Sequence, residues 1–281
     1  MEDDNGQPAA STSLLGFFGS RVLKLRNAHG WSQTELAKKA HTTGAMISYV
    51  EHAKRVPSFD VACDLDTAFG VDFFADLHPL VIRYAYPKWF LPYVELEEQA
   101  TSICVFDSQV VSGLLQTEDY ARALLESGRP DKVSDLVAAR MTRQAVFERE
   151  DEPRCWIIMD ENALERPLGG PEVMRAQLDR LLEAGGQPRT VIQVIPRSVV
   201  SHPGLAGPFT LLGFDQEGGV KTGTHPPHDV LYVDGFSQGR MALDHDEVAA
   251  ATHAYDLLRG YALSPQESAE LIRRHMEELA K

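Results

Sequence analysis

Between Ser13 and Ser58 the chain carries Arg21, Lys24, Arg26, Lys38, Lys39, Lys54 and Arg55, but only Glu35 and Glu51 as acidic residues. The stretch is about +5 by charge, whereas the whole chain of 281 residues has a formal net charge of -14. Clustered cations of this kind attract phosphates, and an acidic remainder repels a polyanion and limits indiscriminate binding. Charge alone also fits a solvated helix face, so the positions of these residues must decide. Two other groups have the types for chemistry. Thr224-His225-Pro226-Pro227-His228-Asp229 gathers two imidazoles and a carboxylate, and Asp244-His245-Asp246-Glu247 is similar. Neither has a metal-ligand spacing such as HExxH. His and Asp beside Pro and Gly ordinarily cap and turn the chain. There is no GxSxG elbow and no P-loop. Neither a metal, a cofactor nor a catalytic activity is therefore expected.

The elements that must position the basic residues are short helices. Leu15, Phe18, Val22 and Leu25 recur at helical spacing over 13–29, and Gly30 ends that helix. Ser32 with Glu35 three positions on forms a capping box for a second helix, with Leu36, Ala37 and Ala40 inward. Thr42 or Thr43 caps a third helix whose inward residues are Ile47 and Val50. Pro57 stops the chain, and Ser58 caps a fourth helix that Gly70 ends. A fifth runs from about Val71 to Leu77. Two short helices joined by a tight turn, with a basic loop behind, form the geometry that lays a helix in the major groove of DNA.

From Ser13 to Leu77 the sequence resembles the lambda-repressor-like, or XRE-type, helix-turn-helix family, through Arg26, Gly30, Ser32-Gln33, Leu36-Ala37, Ile47-Ser48, Glu51 and Pro57. The resemblance implies an all-α five-helix DNA-binding domain. It implies a phosphate contact and a brace for the third helix from Gln33. It places Thr43, Gly44, Ala45, Ser48 and Tyr49 toward the groove. It also implies a structural ion pair between Arg26 and Glu51. Lys38, Lys54 and Arg55 complete the expected DNA-binding set through their charge. The family often has Gly where this chain has His41 and Ala53, so somewhat altered turns are expected. The usual long amide at the head of the third helix is replaced by Gly44, which cannot make a bidentate contact to adenine. Base readout then falls to Thr43, Ser48 and Tyr49, or to a thymine methyl on Ala45, or Gly44 serves close backbone approach.

Behind this domain the character changes. Tyr84, Tyr86, Trp89, Phe90 and Tyr93 give residues 79–100 the look of an aromatic connecting helix, interrupted near Pro87 and Pro92. Its aromatic face suits a dimer or ligand surface, or packing on its own C-terminal domain. Strands then alternate with helices. Strands are expected over 103–106, 155–159, 190–195, 209–214 and 230–233. Helices are expected after Thr117, over 132–149, from Pro171 to about Ala184, over 244–263 and over 265–279. This is a mixed α/β domain over 101–281, regulatory or dimerising, and residues 1–12 are expected to be a disordered tail.

A second resemblance covers nearly the whole chain. Gly113-Leu114-Leu115-Gln116-Thr117-Glu118-Asp119-Tyr120-Ala121-Arg122, Arg140 with Arg143-Gln144, Leu164 to Gly170, Gln177-Leu178, Gln193 to Pro196 and Ala262 to Ser268 resemble the WhiJ-like, or antitoxin-like, regulators of actinobacteria. This implies a transcriptional regulator of double-stranded DNA, with a C-terminal domain of unsettled role and, often, a small cognate partner protein. The chain departs from that group at Ser112, where Pro is usual, and near Asp234, where Glu is usual. As a homodimer it would bind an inverted repeat and sense a small-molecule effector or a partner. An antitoxin-like interaction module is the alternative. Cys63, Cys104 and Cys155 form no CxxC pair, the start is acidic and polar, and Leu14 to Phe18 is too short an apolar run to span a bilayer. A cytoplasmic protein with no membrane partner is expected.

Overall fold

The structure is a computed structural model that describes residues 13–86, 89–128, 133–214, 230–235 and 238–279, with the backbone alone at 83–85. The tail over 1–12, Lys132, Pro87 and the expected His225 and His228 loop lie outside the described residues. In chain order the helices and strands are α1 (Leu14–Ala28), α2 (Gln33–Lys39), α3 (Gly44–Glu51), α4 (Phe59–Phe69), α5 (Phe74–Ala85), α6 (Leu91–Gln99), β1 (Ser102–Asp107), α7 (Glu118–Glu126), α8 (Val133–Arg143), β2 (Arg154–Asp160), α9 (Asn162–Glu165), α10 (Pro171–Gly185), β3 (Thr190–Ile195), β4 (Phe209–Gly213), β5 (Val230–Val233), β6 (Arg240–Ala242), α11 (His245–Tyr261) and α12 (Pro265–Glu278). They form two compact units. The first holds the chain up to Lys88 together with Leu125–Thr142; the second holds Trp89–Leu124 and Arg143–Lys281.

The first unit is helical. Leu15, Phe18 and Val22 of α1 are buried with Leu36 of α2, Ile47 and Val50 of α3, Leu65 of α4 and Phe74 of α5. Burying side chains of this size stabilises by about 1.5–3 kcal/mol each. The first four helix starts have a local cause. Ser13, Ser32, Thr43 and Ser58 each accept a backbone N–H of the following turn. The start of α5 has no cap of its own. Instead Asp66 of α4 accepts from Phe73 and Phe74 at Oδ1 and from Ala75 at Oδ2, at 2.8–3.0 Å. This moves the fifth helix from the expected start near Val71 to Phe74, and it runs on to Ala85. The expected connecting helix over 79–100 is accordingly two helices, α5 and α6, one in each unit. Pro92 is the second residue of α6, a first-turn place that suits a residue with no N–H to offer.

The second unit is built on a six-stranded mixed sheet in the order β3-β2-β1-β4-β5-β6. β1 pairs β2, and β2 pairs β3, in parallel; β1–β4, β4–β5 and β5–β6 are antiparallel. Both faces are covered, which is why the strands read as continuous apolar runs. One face, with Ile103, Val105, Ile157, Met159, Ile192 and Val194, packs with Leu178 and Leu181 of α10 and Leu271 and Ile272 of α12. The other, with Phe106, Ile158, Ile195 and Leu211, packs with Val248, Tyr255 and Leu258 of α11. The expected helix over 132–149 is shorter: α8 gives way to a 3-10 stretch at Gln144–Glu148. The three-residue β6 is additional to the expected strands.

Candidate nucleic-acid interface

The interface is built on the first unit, from the residue that ends α3. Glu51 is buried, and its carboxylate is held from two sides. Arg26 Nε donates to Oε1 at 2.5 Å and Arg26 Nη2 to Oε2 at 3.1 Å, while Gln33 Nε2 donates to Oε2 at 2.8 Å. Arg26 Nη1 also donates to the Trp31 carbonyl at 2.8 Å. One carboxylate thus ties α3 to α1 and to the head of α2. A bidentate guanidinium fixes orientation as well as distance. The amide nitrogen of Gln33 is engaged in bracing Glu51.

With that face fixed, the opposite face of α3 turns outward. Ala45, Ser48 and Tyr49 share it by their three- and four-residue spacing, and Ala45 and Tyr49 are exposed. Thr43 is exposed, and its hydroxyl accepts from Met46 N at 3.1 Å, so the cap of α3 is Thr43. At Gly44 a β-carbon would have Thr34 Oγ1 as its nearest neighbour, at 3.5 Å, an ordinary contact. Nothing in the protein itself demands glycine there. Lys38 and Lys54 are exposed beside this helix pair, and the Arg55 guanidinium lies 4.9 Å from the centre of the Tyr49 ring. The Lys39 ammonium sits 4.7 Å over Trp31, which stacks on Phe69.

Two features of the platform escaped sequence reasoning. Gly19, inside α1, is where α3 comes close with no room for a side chain, since a β-carbon there would fall 2.2 Å from the Val50 carbonyl oxygen. The signal was a glycine within a helical pattern, where the residue is unfavourable unless another backbone comes close. The turns at His41 and Ala53 are not altered as expected. Both residues take the left-handed backbone, with φ of 44° and 54°. Ala53 N donates to Val50 O and Lys54 N to Tyr49 O, the two bonds of a Schellman ending. The turn is kept, and the missing glycine is carried as local strain.

The second unit has charged groups of its own, of which only the Asp244-His245-Asp246-Glu247 run was weighed from the sequence. Glu97 accepts from Arg143 at 2.6 and 2.7 Å and from the Tyr93 hydroxyl at 2.6 Å, all within the aromatic cluster of Phe90, Tyr93 and Tyr232. Ligand atoms of Glu161, Glu165 and His275 lie within 4.8 Å of one another. Arg197 balances that charge, donating its backbone N–H to Glu161 at 2.8 Å and pairing its guanidinium with Glu165. Asp244 of the Asp244-His245-Asp246-Glu247 run caps α11, accepting from Asp246 and Glu247, and Glu247 pairs with Arg240. Burial pushes the Cys155 thiol up to about 12, which keeps it protonated and unreactive.

A helical unit with a braced, outward-facing third helix and exposed lysines on the segments before and after it belongs to the class of DNA-binding helix-turn-helix regulators, and residues 22–74 match the family model described as Helix-turn-helix, of the XRE type. Residues 90–274 match the Domain of unknown function (DUF5753), and the chain belongs to that family. No curated protein and no solved structure matches it. Among the described residues no helix is long and apolar enough to cross a membrane.

Proposed function

We propose that this chain is a sequence-specific transcriptional regulator that acts as a homodimer. Each subunit would place α3 in successive major grooves of an inverted repeat. The observation that carries the reading is the two-sidedness of α3. Its inner face is locked through Glu51 to Arg26 and Gln33. Its outer face offers Ala45, Ser48 and Tyr49, with exposed Lys38 on α2 and with Lys54 and Arg55 in the loop that follows α3. The cations supply phosphate attraction and register, and the outer side chains of α3 supply base contact.

In this reading the DUF5753 unit dimerises the protein and receives a signal, working by binding and not by turnover. An effector, either a small molecule or a small partner protein, that prefers one conformation of this unit changes DNA affinity by that preference. The resemblance to WhiJ-like regulators supports such a division of labour. The test is binding of the purified chain to DNA from upstream of its own coding sequence, against a mixed-sequence duplex. A two-fold symmetric footprint at a stoichiometry of two chains supports the reading. Equal affinity for both duplexes contradicts sequence specificity, and a single chain per site contradicts the dimer.

A further inference from the structure

The family matched over 90–274 contributes a helix to the compact unit that carries the helix-turn-helix. The chain leaves the second unit after Leu124 and rejoins it at Arg143, and the intervening Leu125–Thr142 belongs with the first. Within that segment, α8 buries Val133, Val137, Ala138 and Met141. Two polar contacts hold it there. The Tyr86 hydroxyl donates to the Ala139 carbonyl at 2.6 Å. The Thr142 hydroxyl accepts from the backbone N–H of Val56 at 2.8 Å. That hydroxyl gives its own proton to the Ala138 carbonyl, also at 2.8 Å. Its role toward Val56 is therefore fixed as acceptor.

Val56 immediately follows Lys54 and Arg55. The loop they form is pinned at three points. Lys54 N bonds back to Tyr49 O in α3, Val56 N bonds to Thr142, and Pro57 O accepts from His78 Nε2 of α5 at 2.8 Å. The first and third anchors come from the helix-turn-helix domain itself. The second comes from the DUF5753 sequence. Val56 is almost completely buried, so without Thr142 its N–H has no ready substitute in water.

We propose that Thr142 is a positioning residue for DNA binding. By holding Val56 N–H it presents Lys54 and Arg55 to the DNA backbone, and α8 thereby gives the DUF5753 sequence direct control over the phosphate grip. The inference rests on the reading above that the basic loop meets DNA. A ligand or partner that changes how α8 is held would change affinity without touching α3.

The experiment is fluorescence anisotropy of the full chain on a mixed-sequence duplex over a salt series, with Thr142→Val, Thr142→Ser and Tyr86→Phe. Thr142→Val keeps the shape and removes the acceptor; Thr142→Ser keeps the hydroxyl. Thr142→Val should bind about tenfold more weakly. Its dependence of log affinity on log salt should be shallower by roughly one to two phosphates. Thr142→Ser should behave as wild type. A merely destabilised fold would lower affinity and leave the salt slope unchanged. Tyr86→Phe loosens α8 at its other hold, so it should shift the slope in the same direction even if Thr142→Val fails to fold. Unchanged slopes in the folded variants overturn the proposal. If wild type itself shows no salt-dependent binding, the DNA reading fails first, which is a different result.

Discussion

Gly19 and Val50 touch backbone to backbone. A β-carbon on Gly19 would come to 2.2 Å from the Val50 carbonyl oxygen and 3.1 Å from that of Glu51. The outward helix of the DNA-binding unit is thus seated directly on α1 with no side chain between. Gly19→Ala meets carbonyl oxygens, which cannot rotate away, so α3 must shift. The expected cost is about 1–3 kcal/mol. Urea unfolding followed by Trp31 fluorescence checks it, and DNA affinity should fall with it.

Arg26 and Glu51 stand on the same seat. Their side chains are 12% and 1% exposed, so removing one partner strands the other without water. Arg26→Ala is expected to destabilise by about 3–5 kcal/mol, and a double change of Arg26→Met with Glu51→Leu by clearly less. Denaturant titration of the two variants separates a buried unpaired charge from simple loss of packing. Equal losses would contradict the account.

Ala53 and Gly30 form a matched pair. Both stand just past a helix C-cap in the left-handed region, at φ of 54° and 68°. A left-handed residue with a β-carbon costs about 1–2 kcal/mol, partly offset by the extra freedom glycine has when unfolded. Ala53→Gly is therefore expected to stabilise by about 0.5–1 kcal/mol. Gly30→Ala, with nothing within 4 Å of its new β-carbon, should destabilise by a similar amount. Thermal unfolding of the two variants should move in opposite directions.

His78 sets a pH dependence. Burial disfavours its charged form and lowers its affinity for a proton below the ordinary value of 6.5, while its bond to the Pro57 carbonyl acts in the opposite direction. The unfolded chain therefore takes up a proton near pH 6.5 that the folded chain resists. Stability from this residue is fully present above that pH and declines as pH falls below it, by at most about 1.4 kcal/mol per unit. His78→Gln should flatten this part of the profile between pH 7 and 5. An identical profile in wild type and variant would show that His78 is not the group responsible.

What the sequence made legible was local. The Ser32–Glu35 capping box, the Gly30 and Gly70 helix ends and the strands from β1 to β5 are written in neighbouring residues, and they appear within a few positions of expectation. What it hid depended on distant partners. Asp66 caps α5 from another helix. The bonds that fix α8 join Tyr86 to Ala139 and Val56 to Thr142, across 53 and 86 residues. No periodicity within 132–149 records that its first part packs with the N-terminal helices. The strand order of the sheet is hidden for the same reason. The Arg26–Glu51 contact, 25 residues apart, was legible only through family resemblance.

The most direct test of the central claim is the salt dependence of duplex DNA binding by the full chain, between about 50 and 200 mM salt. The account predicts a linear fall of log affinity with log salt. Lys38→Gln, Lys54→Gln and Arg55→Gln should each reduce the slope by roughly one and leave the fold intact. A folded protein whose binding is absent or indifferent to salt, or whose slope survives all three changes, would contradict it.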